Sequence, residues 1–149
     1  MIFLPDTNAF SAYLAGRSPA LVARMQMEFA AGSLRLSVMV MAELEFGAEK
    51  ARVQLGMTKF VRRVEALRQQ LEIEPLGPDF PQSYARVRAH LEATGLKIGD
   101  RDTIIAAHAV ALRATLVTRN VREFARVPGL VVENWQMDWS SLLRPKNQS

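Results

Sequence analysis

Cysteine is absent from the chain, which excludes a disulfide scaffold, a thiolate zinc site and a cysteine nucleophile; a reducing compartment is compatible with that absence. Only two histidines occur, His90 and His108. They form no metal-binding spacing, and no Ser-His-Asp order is present. A glycine-rich phosphate loop is also missing, which argues against a nucleotide-triphosphate motor. The longest apolar runs, such as Ile104 to Leu112, fall short of a membrane span, and that one contains His108. The start, Met1-Ile-Phe-Leu-Pro-Asp6, lacks the positive leader of a signal peptide and reaches a carboxylate too early for one. A cytoplasmic protein with no membrane partner is therefore expected. Internal repeats, low-complexity tracts and linkers are lacking too.

What is present is a chain of 149 residues, 49% hydrophobic. That length suits one domain burying roughly two-thirds of its unfolded surface, and such a composition argues against disorder. The net charge is +4, and fifteen of the nineteen basic residues are arginine. Arginine favours forked contacts to phosphate or carboxylate, so a polyanionic substrate, an acidic protein partner and a merely soluble surface all fit.

Short β-branched runs alternate with amphipathic stretches. Ile2 to Leu4, Leu34 to Val38, Ile73 to Leu76, Thr115 to Thr118 and Leu130 to Val132 read as strands. Ser18-Pro19 reads as an N-cap followed by proline in the first turn, and Thr58 as the cap of a later helix. The stretch from Ile104 to Leu112 is apolar nearly all round and is expected to lie centrally. Strands separated by helices predict a parallel sheet covered on both faces, hence a three-layer α/β domain over residues 1–143 with a polar tail at 144–149.

Candidate chemistry lies where strands hand over to helices. Asp6 follows the first strand directly, with Thr7 and Asn8 placed to orient it by hydrogen bonds. An unpaired buried carboxylate there asks for a cation or several N–H donors; the plainer alternative is that Asp6 only caps the next helix. Glu43 belongs to the first turns of the helix after the second strand, and Gly47, four residues on, leaves room for a close neighbour. Glu45 diverges from Glu43 and reads as solvated or ion-paired. Asp102 begins the inward series through Ile105, Ala106 and Ala109, whereas Asp100 is expected further out; helix capping is the competing reading for both. His108 reads as a satisfied helix histidine. After the fourth strand, Thr118, Asn120 and Glu123 reach the same crevice. Arg119 and Arg122 there meet either phosphates or acidic neighbours.

Converging carboxylates are what phosphodiester hydrolysis requires. Hard oxygen ligands suit Mg²⁺ or Mn²⁺; one ion lowers the pKa of a bound water, and a second steadies the remaining oxygens. A one-ion mechanism stays open.

Taken as a set, Leu4-Pro-Asp-Thr-Asn8, Met41-Ala-Glu-Leu-Glu-Phe-Gly-Ala-Glu-Lys50, Ile98-Gly-Asp-Arg-Asp-Thr-Ile-Ile-Ala-Ala-His108, the run Val117 to Gly129 and Val132-Glu-Asn-Trp135 closely resemble the PIN-domain ribonucleases, and within them the VapC-type toxins. The resemblance implies a five-stranded parallel sheet in order 3-2-1-4-5, with Asp6 beside Asn120. It implies Asp6, Glu43 and Asp102 as catalytic residues and ligands of Mg²⁺, for which Mn²⁺ substitutes. Asn120 stands where many members carry a fourth aspartate, with Asp100 or Glu123 as substitutes, and Pro5 replaces a usual apolar residue. The resemblance further implies RNA as substrate, a homodimer, and a cognate antitoxin that silences the toxin and alone binds DNA. Two other classes remain: a non-catalytic module whose acidic pocket takes antitoxin arginines, and a phosphoryl-transfer enzyme with Asp6 as nucleophile.

Overall fold

The computed structural model describes residues 1–136; the tail expected from residue 144 lies outside them. The chain opens with strand β1 (Phe3–Pro5), followed by helices α1 (Thr7–Ala15) and α2 (Pro19–Ala30). Strand β2 (Leu36–Ser37) leads into the long α3 (Val38–Leu55), then α4 (Lys59–Gln70) and β3 (Ile73–Glu74). Helices α5 (Phe80–Thr94) and α6 (Asp100–Leu112) precede β4 (Thr115–Val117), the short α7 (Val121–Phe124) and β5 (Val131–Glu133).

The strands pair in parallel, but not as one five-stranded sheet in order 3-2-1-4-5. Among the described residues they form two ladders, β1-β4-β5 and β2-β3, joined by an isolated bridge between Phe3 and Leu34. Hydrogen-bond parity explains the break. Phe3 donates its N–H to Ser33 and accepts from Arg35, each at 2.9 Å, whereas Thr115 bonds to Ile2 and Asp6 bonds to Val117 on the opposite side. Two residues beyond Phe3, Pro5 would face β2 again, and proline has no N–H to give. The proline that departs from the family pattern therefore coincides with the end of the ladder. The second strand is shorter than the expected Leu34 to Val38 because the Ser37 hydroxyl caps α3, accepting the Met39 N–H at 3.2 Å.

Among the local expectations, one holds and two do not. Ser18 caps α2, accepting the Leu21 N–H at 3.3 Å, with Pro19 in the first turn. Thr58 stands at the start of α4 but makes no capping bond with its side chain. Gly47 is not needed for a close approach: a methyl group there would meet the Phe60 ring on α4 at an ordinary 3.6 Å.

The core gathers Leu4 of β1, Leu116 of β4, Phe10 of α1, Leu36 of β2 and Leu44 of α3 against α6. Five consecutive α6 residues, Ile105 to His108 and then Ala109, are fully buried, as its all-round apolar character requires. His108 sits at 0% exposure with Nε2 donating to the Pro75 carbonyl and Nδ1 accepting from the Ser37 hydroxyl, both at 2.9 Å. It ties α6 to the β2-β3 ladder as a neutral ring, and burial lowers its pKa from the ordinary 6.5. This fold brings the carboxyl ends of β1 and β4 side by side, since Pro5 pairs with Val117.

Candidate active site

Asp6 and Thr118 each follow the last paired residue of their strands, so the β1-β4 register makes them neighbours. Asp6 is 6% exposed and caps α1 by accepting the Ala9 N–H at 2.8 Å. The capping reading is thus correct, yet the same carboxylate also lines an open hollow of about 680 Å³. The Thr118 hydroxyl is buried beside Asp6 and favours the charged form of its carboxylate. Thr118 in turn accepts the Asn120 N–H at 2.9 Å. Burial nevertheless raises the Asp6 pKa above its ordinary 3.8, with Glu43 adding to the rise; Thr118, Ala9 and Arg119 oppose it.

Asp102 comes to the same hollow from the first turn of α6. Its pKa is raised by burial and then by repulsion from Asp6, Glu43 and Glu123, with Arg101 opposing. Four carboxylates, Asp6 ahead of α1, Glu43 of α3, Asp102 of α6 and Glu123 of α7, therefore share one electrostatic neighbourhood. Asn120 and Arg119 line the hollow after β4, as do Thr7 and Asn8 from α1. Arg122 and Glu123 are not among its walls, although Glu123 is near enough to act on Asp102.

Glu43 stands apart from this wall. Thr7 donates its hydroxyl to Glu43 Oε2, rather than to Asp6 as the sequence suggested, and Arg101 Nε lies 3.3 Å from Oε1. Both Glu43 oxygens are thereby engaged. Glu43 faces an adjoining hollow with Asp100 and Arg101, and Asp102 forms the partition between the two spaces. Among the described residues no three acidic or histidine side chains close around a common point. Glu45 is ion-paired with Arg68, as expected of a residue on the other face.

Three neighbours escaped the sequence reading. Ser11 lies one turn after Thr7 on α1, so helical spacing alone was a signal for it. Arg101, between the two aspartates, holds Glu43. Arg17 reaches the hollow from the α1–α2 junction, where no local pattern announces it.

The donor set of Asp6 and Asp102, two hard oxygen ligands whose charges repel, fits a divalent cation such as Mg²⁺ or Mn²⁺. No described helix is long and apolar enough to cross a membrane.

Comparison with known proteins gives this geometry a context. The model of the PIN domain matches residues 3–130. Ribonuclease VapC2 of Rickettsia felis is 33% identical over 136 residues, covering 91% of this chain and 98% of its own. The tRNA(fMet)-specific endonuclease VapC of Salmonella typhimurium is 33% identical over 100 residues, covering 67% of this chain and 74% of its own. Among solved structures, VapBC2 from Rickettsia felis bound to a DNA fragment from their promoter superposes with a TM-score of 0.82 at 31% identity, covering 91% of this chain and 99% of that one.

Proposed function

This chain belongs to the PIN-domain family, as a homologue of the VapC-type toxins of bacterial toxin–antitoxin systems, and from that premise we propose that it is a metal-dependent endoribonuclease restrained by a cognate antitoxin. The observation that carries the reading is the pairing of Asp6 and Asp102 across one hollow, each with a raised pKa and each repelling the other. Such an arrangement costs stability in the empty fold. A bound cation reverses the sign of that cost.

Asp6 and Asp102 are the residues that would hold Mg²⁺ or Mn²⁺. When bound, the ion supplies a lowered water pKa and a positive centre for phosphate oxygens. The protein's own groups do the rest. Thr118 favours the charged form of the Asp6 carboxylate, and the Ala9 N–H holds its Oδ1 against the α1 terminus. Glu43, bonded to Thr7 and ion-paired with Arg101, would join Asp6 and Asp102 in holding the ion once released from them. Asn120 offers an oxygen without charge, while Glu123, Asp100 and Thr7 complete the polar surround. Arg119 lowers the Asp6 pKa and is placed to meet substrate phosphate; Arg122, further off, is assigned the same chemistry more distantly. Attack of water in line with the leaving oxygen would leave a 5′-phosphate and a 3′-hydroxyl.

The substrate class is RNA, and the Salmonella relative makes tRNA the first one to test. DNA binding is assigned to the antitoxin, in keeping with the promoter-bound Rickettsia complex, and the toxin is expected to work as a homodimer. A second reading has one observation in its favour. Since Arg101 already occupies Glu43, the acidic pocket is capable of receiving arginines from a partner without catalysis.

The test uses antitoxin-free protein, titrated with Mn²⁺ by calorimetry and assayed on tRNA. The enzyme reading expects Mn²⁺ uptake and cleavage, both lost in Asp102→Asn. Uptake and cleavage both missing in the wild type would leave the non-catalytic module.

A further inference from the structure

The acidic hollow does not end at its carboxylates. Asn8, Arg17 and Arg119 are shared with a second hollow of about 420 Å³, which continues over the start of α2 past Ser18 and Gln136. The two spaces differ in charge. The first carries Asp6 and Asp102 beside the two arginines, whereas the walls of the second include no acidic residue among those described.

Both arginines spring from pinned backbone. Arg17 lies between Gly16, which ends α1 at φ +65°, and Ser18, which caps α2; its N–H bonds to the Ala12 carbonyl at 3.0 Å. Arg119 lies between Thr118, whose N–H bonds to Glu133 at 2.9 Å, and Asn120, whose N–H bonds to the Thr118 hydroxyl. Five other arginines, Arg24, Arg52, Arg68, Arg88 and Arg101, are ion-paired with glutamates. Among the described residues neither Arg17 nor Arg119 has such a pair. Two cations that face one hollow without a carboxylate, beside a site built for a phosphodiester, leave forked donors for a further phosphate.

We propose that Arg17 and Arg119 grip the phosphate next to the scissile one, so that the RNA backbone runs from the Asp6–Asp102 hollow across Asn8 to the start of α2. The inference rests on the ribonuclease reading and adds to it a direction for the substrate and a positioning residue, Arg17. Arginine forks suit the repeated phosphates of a single strand, and the continuity of the two hollows favours nucleic acid over an acidic protein segment.

The experiment measures binding apart from cleavage. The antitoxin-free full chain is titrated, in EDTA, into a short fluorescein-labelled single-stranded oligoribonucleotide, and anisotropy is followed across a salt series. Losing one phosphate contact lowers the slope of log K against log salt by about 0.7, which at about 0.1 M salt is roughly a fivefold loss of affinity. Arg17→Ala and Arg119→Ala are each expected to show both changes, and Arg17→Lys to retain the slope. Arg62→Ala, an exposed change on α4 that lines neither hollow, is expected to show neither. An unaltered affinity and slope in Arg17→Ala overturns the proposal. So does a result in which Arg17→Ala loses binding only to a labelled poly-glutamate peptide, because the hollow then receives a protein. Cleavage of the same oligoribonucleotide with Mn²⁺ is scored separately. Arginine-dependent binding without wild-type cleavage sinks the ribonuclease reading, whereas cleavage with an indifferent Arg17 sinks this inference alone.

Discussion

Removing a positive charge beside the acidic hollow should tighten its hold on a cation, and Arg101→Ala is the sharpest way to see it. Arg101 Nε stands 3.3 Å from Glu43 Oε1, with the arginine side chain 67% exposed and the glutamate 19%. An ion pair so open to water is worth about 0.2–1 kcal/mol, screening included. At 1.36 kcal/mol per tenfold, releasing Glu43 from that competitor improves cation affinity by about 1.4- to 5-fold. Arg101 also opposes the rise in the Asp102 pKa, so its loss leaves more uncompensated negative charge for the ion to meet. Calorimetric titration of Mn²⁺ into antitoxin-free protein at physiological salt reads the change directly. A Glu43→Gln change in the Arg101→Ala background should abolish the gain, closing a double-mutant cycle on the pair. Equal or weaker Mn²⁺ binding by Arg101→Ala would refute the idea that Glu43 is a restrained ligand.

Other outcomes follow from the same geometry. Asp6→Asn keeps a good N-cap for α1 while deleting a buried charge, so cleavage should vanish as metal-free thermal stability rises, by about 2–4 °C for each kcal/mol relieved; a lower Tm would contradict the charge argument. Thr118→Val removes the hydroxyl that steadies Asp6, and a loss of roughly 10- to 100-fold in Mn²⁺ affinity or cleavage is expected with the fold intact by circular dichroism. The pH dependence of metal-free stability carries two opposite signs. His108 is held neutral, with its folded pKa lowered from 6.5, so stability should decline as pH falls below about 6.5, where the unfolded chain takes the proton first. Asp102 has its folded pKa raised from 3.8, so the stability it contributes in acid is lost as pH climbs through that raised value. Urea melts of Asp102→Asn against wild type should therefore converge below about pH 4 and separate at neutral pH, with the variant more stable.

Much of this was written in short-range pattern. The places of the five strands, though not their ends, the Ser18 cap and the inward face of α6 from Asp102 through Ile105 and Ala109 follow from periodicity and capping chemistry. Those features also placed Asp6 and Asp102 on one wall. The unbroken sheet was not to be had, because it depended on whether Pro5 would face β2 or β4, a matter of hydrogen-bond parity that only the register of β1 decides. The same limit applies to partner choice. Thr7 was read as serving its neighbour Asp6, but it bonds Glu43, thirty-six residues away, while Thr118 takes the place beside Asp6. Arg17 and Arg101 gave no local sign, since an exposed arginine in a loop or a first turn has many possible partners until the chain folds.

The most direct trial of the central claim is a crystal of the antitoxin-free protein soaked in Mn²⁺ and located by its anomalous scattering. The expected result is an ion bound by carboxylate oxygens of both Asp6 and Asp102, with the Thr118 hydroxyl beside Asp6. An ion bound elsewhere, with Asp6 doing nothing but capping α1, would contradict it.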